Sequence, residues 1–142
     1  MDSKKRQPGY TLVEIMITIA VLAILVSLAV PGYFQYVVRS NRAEGIEALM
    51  TAAACQERLL IRNNAYDADA CEGTTQGGHY AITVVTSNGN QNFVATAAPQ
   101  GSQSRDGCGS LGLSDTGVKS AGGNTGALAS KCWGGKHGSS ET

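Results

Sequence analysis

An α+β fold, one long N-terminal helix packed on a three- or four-stranded antiparallel sheet, follows from three features of the chain. The segment Ile15 to Val30 carries no charge and is apolar except for Thr18 and Ser27. From Tyr33 to about Asn63, apolar residues recur at helical spacing. Beyond residue 78 the pattern turns to short alternating runs broken by Gly, Asn and Pro.

Tyr10 to Val30 spans 21 residues. As a helix that is about 31 Å, enough to cross a hydrocarbon core of about 30 Å. Lys4, Lys5 and Arg6 precede the run, which keeps the N-terminus cytoplasmic and sends Gly32 onward outside. Pro31 and Gly32 close the run and are expected to kink or loosen the helix without ending it. Glu14 is the one charge in this region. A carboxylate in a membrane segment costs roughly 2.5–3.5 kcal/mol on insertion scales, so Glu14 calls for a partner. A cleavable secretory signal is the alternative, since Ser27-Leu28-Ala29 offers a small-x-small site. It would release a plain secreted domain. Glu14 and a run longer than the usual 7–15 residues favour a retained anchor.

The second half of the helix is read from Val38, Ile46, Leu49, Met50, Ala53, Leu59 and Leu60, with Arg39, Arg42, Glu44, Glu47, Glu57, Arg58 and Arg62 at other positions. Weak surface pairs are expected for Glu44 and Glu47 against Arg42, and for Glu57 and Arg58 near Arg62. Tyr33, Phe34 and Tyr36 fall where a membrane-interface belt belongs. The apolar stripe needs a sheet to bury it. His79 to Thr86 reads as a strand with Tyr80, Ile82 and Val84 on one face, Asn88-Gly89-Asn90 as a turn, and Asn92 to Ala97 as the returning strand ended by Pro99. Ser110 to Ser114 gives a third strand, and Val118-Lys119 a short fourth element after the turn Asp115-Thr116-Gly117. Residues 63–78 and 120–130 read as loops.

Four cysteines, Cys55, Cys71, Cys108 and Cys132, lie beyond the apolar run. An even count in an exported domain indicates two disulfides, and three pairings are possible. Cys55–Cys71 with Cys108–Cys132 is favoured because each closes a local loop, worth on the order of 3 kcal/mol. No CxxC or HxxxH spacing brings His79 or His137 into a metal site. Lysines plus arginines equal aspartates plus glutamates at 11 each. No basic patch stands out, so charge gives no case for nucleic-acid binding. No nucleophile–base pattern or phosphate loop is present, which predicts a non-enzyme without a cofactor. Trp133, beside Cys132, is expected to cover the disulfide and the core.

Gly9-Tyr10-Thr11-Leu12-Val13-Glu14 resembles the prepilin motif of type IV pilins and type II secretion pseudopilins. The resemblance implies cleavage between Gly9 and Tyr10 by a prepilin peptidase, and methylation of the new N-terminus at Tyr10. It implies retention of the apolar helix and a helix-kinking proline at Pro31. Glu14 then pairs with the terminal amine of a neighbouring subunit and sets the stagger of assembly. Arg105-Asp106-Gly107-Cys108-Gly109, Leu111, Leu113, Gly117 and Cys132-Trp133 resemble the minor pilins of the PilE group, of which the DNA-uptake receptor ComP is a distant relative. The implied organisation is a cleaved leader (1–9), a transmembrane and assembly helix (10–32), a pilin head (33–133) and a flexible tail (134–142). The implied function is that of a structural subunit of a type IV pilus, a PilE-like minor pilin that takes part in pilus assembly for twitching, adhesion or DNA uptake, with other pilins, the prepilin peptidase and the inner-membrane assembly platform as partners. It would wait in the inner membrane and then join an extracellular pilus. A major pilin, a pseudopilin and a DNA-binding receptor are the alternatives. The sparse acidic residues after Glu72 (Asp106, Asp115 and Glu141) offer no calcium site of the pseudopilin kind.

Overall fold

The structure is a computed structural model and describes residues 9–134. The expected leader up to residue 8 and the tail beyond Gly134, with Lys136 and His137, lie outside the described residues. Two units make up the chain, Met1–Val37 and Val38–Thr142, and helix α1 (Leu12–Asn63) contributes to both.

Helix α1 starts where Thr11 accepts the Glu14 backbone N–H on its hydroxyl at 3.2 Å, an N-cap that satisfies one of the free donors of the first turn. Within the run, the Thr18 hydroxyl donates to the Glu14 carbonyl and the Ser27 hydroxyl to the Ile24 carbonyl, both at 2.7 Å. Every hydroxyl in the apolar segment is therefore satisfied by its own helix, as lipid requires. The helix continues through Pro31. It stops at Asn63, where Asn64 takes a φ of 54° and donates its N–H to the Leu60 carbonyl at 2.8 Å. That is a left-handed C-terminal cap, a conformation asparagine tolerates.

In the second unit, α1 buries Gly45, Leu49, Ala52 and Gln56 at spacings of four, three and four. This stripe differs from the one expected. Met50 is half exposed, Ala53 is only partly buried, and a polar residue, Gln56, is completely buried. Gly45 and Ala52 belong to the stripe because the sheet comes close; a Cβ on Gly45 would lie 2.9 Å from the Tyr80 ring.

The sheet has five antiparallel strands in sequential order: β1 Gly73–Thr74, β2 Tyr80–Ser87, β3 Asn92–Pro99, β4 Leu111–Ser114 and β5 Lys119–Ala121. A 3-10 turn at Gly101–Arg105 and helix α2 at Ala127–Cys132 complete it. Tyr80, Ile82, Val84, Phe93, Ala95, Leu111 and Leu113 form the buried face. Three or four strands were expected, and the fifth is β1, inside a segment read as loop. A two-residue strand has no alternation to detect. Pro99 closes β3 from inside the strand. The pairing runs one residue past it through the Gln100 N–H to the His79 carbonyl at 2.8 Å. The fourth element is displaced to Lys119–Ala121, because Ala121 is buried opposite Leu111. The turn expected at Asn88-Gly89-Asn90 has φ of 52°, 64° and 63°, the left-handed region that Asn and Gly supply.

Candidate functional site

Two surfaces carry the residues singled out by the sequence. In the first unit, Gly9 and Tyr10 precede the helix and Tyr10 is 81% exposed. Glu14 sits in the first turn of α1, where the helix dipole favours a carboxylate. Thr11 and Glu14 have the Thr-x-x-Glu spacing of a capping box, a signal in the sequence that the membrane reading passed over. Along the run, Leu12, Ile15, Ile19, Leu22, Leu25 and Leu28 are all at least half exposed. An uncovered apolar rod of this length needs lipid or other helices around it.

In the second unit, two disulfides join Cys55 to Cys71 and Cys108 to Cys132, with Cα–Cα distances of 6.0 and 5.8 Å. The first closes a loop that Gln56 fills. Its amide donates to the carbonyls of Asp67 and Ala70 at 2.6 and 2.9 Å and accepts the Asp67 N–H at 3.0 Å. The second ties α2 to the segment just before β4. Trp133 follows it, donates its indole N–H to the Ser120 carbonyl at 2.9 Å and packs against the core.

Arg42, Glu44 and Glu57 reach residues outside α1 in place of the local pairs expected. The Arg42 guanidinium forks onto Asp106 at 2.6 and 2.8 Å. Glu44 binds the Gly77 N–H and His79 Nδ1, and Glu57 accepts the Tyr66 hydroxyl at 3.1 Å. Burial pushes the Asp106 carboxyl up, but the hydrogen bonds from Arg42 and the Cys108 N–H outweigh it and the net shift is downward. Burial holds the Tyr80 hydroxyl above its usual range. The Gly77 N–H, with His79 second, lowers the Glu44 carboxyl.

An open groove of about 1210 Å³ runs between α1 and the Cys132-Trp133 segment. Ile46, Met50 and Trp133 are among its apolar lining, and Arg39, Arg58 and Lys131 are its exposed cations. Glu47 is the one carboxylate among its described lining residues. Lys119 stands 5.2 Å over the Trp133 ring. Arg39, Arg58 and Lys131 thus line one groove together with Glu47, and Lys119 stands apart over Trp133. Among the described residues no group of three or more His, Cys, Asp or Glu could hold a metal.

An apolar helix running into a disulfide-bonded α+β head is the architecture of a fimbrial subunit, and comparison with known proteins agrees. The description "prokaryotic N-terminal methylation motif" fits residues 4–30. The family "type IV minor pilin ComP, DNA uptake sequence receptor" matches residues 31–112. A fimbrial protein of Dichelobacter nodosus is 30% identical over 103 residues, 69% of this chain and 64% of that one. Fimbrial protein EcpC of Eikenella corrodens is 35% identical over 97 residues, 66% of this chain and 63% of its own. The chain thus spans just under two thirds of the length of these curated relatives. A solved type IV pilin from Shewanella oneidensis superposes with a TM-score of 0.52 at 26% identity, over 62% of this chain and 96% of that one. The chain belongs to the type IV pilins, in the family of the minor pilin ComP.

Proposed function

We propose that the protein is a minor structural subunit of a type IV pilus. It is cut by a prepilin peptidase between Gly9 and Tyr10, methylated at Tyr10, and held in the inner membrane with its N-terminus cytoplasmic. An assembly platform then passes it into a filament with other pilins, and Pro31 loosens α1 for that passage. The role is structural, not enzymatic. The observation that carries this reading is the rod itself: a helix with uncovered apolar residues whose first turn holds one carboxylate. Cleavage frees an amine at Tyr10, and in an apolar bundle that amine of one subunit neutralises Glu14 of the next. A misplaced stagger leaves a charge unpaired and is penalised. Mass spectrometry of the mature chain is expected to find N-methylated Tyr10 as the first residue. The Glu14→Ala variant is expected to insert into the membrane and fail to enter filaments. A mature chain starting near Pro31, or normal incorporation of Glu14→Ala, would refute the proposal.

A second reading, that the head captures DNA during uptake, is favoured by the family match and by the cations that line the groove beside Trp133. Arg39, Arg58, Lys119 and Lys131 are exposed, and phosphate neutralisation needs cations of that kind.

A further inference from the structure

The two disulfides lie in different surroundings. Cys108 and Cys132 are 6% and 2% exposed and belong to the core. Cys55 and Cys71 are only half-buried, and both border a second open groove, of about 390 Å³, between α1 and β1. Cys55 also borders the larger groove. Cys132 touches that groove too, but with almost none of its surface. A thiol must reach a sulfur before it can exchange with it, so a dissolved thiol meets the first pair and not the second.

The first pair holds a segment that little else holds. From Asp67 to Glu72 no side chain is buried, and within that stretch only Cys71 packs against the core, in part. Cys71 has a φ of 70°, in the left-handed region that a residue with a Cβ adopts at a cost, and its bond to Cys55 keeps it there. On either side of Cys71 the fastenings are polar. Gln56 bonds Asp67 and Ala70, and the exposed Glu72 accepts the Val84 N–H on its carboxylate at 2.8 Å. Asp67, Asp69 and Glu72 give the segment three carboxylates and no cation. Glu72 shares the smaller groove with Glu44 and Glu47, so like charges face one another across it. The ends of the segment are fixed without the disulfide. Tyr66 is buried against the Phe93 ring at 4.8 Å, and Gly73 begins β1, paired with Ile82.

We propose that Cys55–Cys71 is a redox-sensitive catch. A dithiol opens it while Cys108–Cys132 stays closed, and residues 67–72 then come away from α1 with the sheet intact. One thiolate of the dithiol attacks a sulfur of the pair, forms a mixed disulfide and expels the other cysteine as a thiolate, which takes up a proton. The second thiol, as its thiolate, then displaces the remaining cysteine from the mixed disulfide. The cysteine pair gains two electrons and two protons, and the dithiol leaves as its cyclic disulfide.

The test treats the full chain in detergent micelles with dithiothreitol, without denaturant, and blocks free thiols with iodoacetamide for peptide mass spectrometry. Cys55 and Cys71 are expected to be labelled about tenfold or more faster than Cys108 and Cys132. In the protein opened at the first pair, the Asp67 and Val84 amides are expected to exchange about tenfold or more faster than in the parent, as released hydrogen bonds do, while the β3 amides of Val94 to Ala97 keep their protection. The Cys55→Ser/Cys71→Ser variant is expected to give the same exchange pattern without reductant. Equal or reversed labelling, no labelling short of unfolding, unchanged Asp67 and Val84 exchange after opening, or loss of β3 protection when the first pair opens would each overturn the inference. None of these readings depends on filament entry or on DNA, so they stand apart from the tests of those roles.

Discussion

Asp106 gathers more contacts than its place in a Gly- and Ser-rich stretch suggests. Its side chain is 2% exposed. It takes the Arg42 fork, the Cys108 N–H at 3.0 Å, Gln103 Nε2 at 3.2 Å and the Tyr80 hydroxyl at 3.4 Å. The pair joins α1 to the start of the Cys108–Cys132 loop. Local pairs between Arg42 and Glu44 or Glu47 looked natural from spacing, but such pairs are worth about 0.2–0.5 kcal/mol. A buried fork 64 residues away satisfies both charges with better geometry, and nothing in the local sequence marks that partner. Replacing Asp106 by Asn leaves Arg42 short of its counter-charge, and a loss of about 3–5 kcal/mol is expected in thermal or denaturant unfolding of the head. The pH dependence has a fixed sign. The folded Asp106 carboxyl titrates below its ordinary range, so its contribution is present above the unfolded pKa of about 3.9 and disappears as pH falls through the folded value. Glu44, also shifted down, has the same sign. Acid melting of the parent should therefore steepen below about pH 4, and Asp106→Asn should flatten that limb.

The packing of α1 on β2 depends on a residue with no side chain. Tyr80 is fully buried, and its hydroxyl is engaged by Gln103 Nε2 at 3.0 Å, so the ring cannot swing aside. Gly45 lies under it. Gly45→Ala gains about 1 kcal/mol of helix propensity in an isolated helix but puts a methyl group 2.9 Å from the ring. Overpacking typically costs 1–3 kcal/mol, so the gain is cancelled or outweighed, and a net loss of stability of up to about 2 kcal/mol is expected in calorimetry of the variant, against the direction that propensity alone gives. The elements that could be read from sequence were those with a period to read: α1, and the alternating β2, β3 and β4. Strand β1 and helix α2 escaped notice for different reasons. β1 is too short to show a pattern, and α2 is one and a half turns between glycines, stable only because Cys132 is bonded to Cys108 and Trp133 caps it against Ser120. The buried Gln56 was invisible as a core residue because its role exists only once the Cys55–Cys71 loop closes around it.

The chain as a whole has no net charge, which hides how its charges are arranged. The apolar rod, the N-terminal methylation motif and the main elements of the fold were readable because each is written in consecutive residues. That Arg39, Arg58 and Lys131 line one groove was not readable, because they come from α1 and α2 and share it only in three dimensions. If this groove and the Trp133 surface bind DNA, affinity arises from counterion release, and log K falls against log salt with a slope of about 0.9 per phosphate neutralised. Arg39, Arg58, Lys119 and Lys131 allow a slope of about 3 to 4, with Arg42 excluded because Asp106 already holds it. Removing Arg58 and Lys131 together should lower affinity for any duplex and cut the slope by about 2. Trp133→Ala should weaken binding to single strands most, since stacking on an indole is worth about 1–3 kcal/mol per base. Salt titrations of the intact chain with duplex and single-stranded DNA decide this. Binding insensitive to salt, or a slope that survives the double substitution, would place the DNA contact elsewhere on the head or remove it, and leave the structural role in the filament standing by itself.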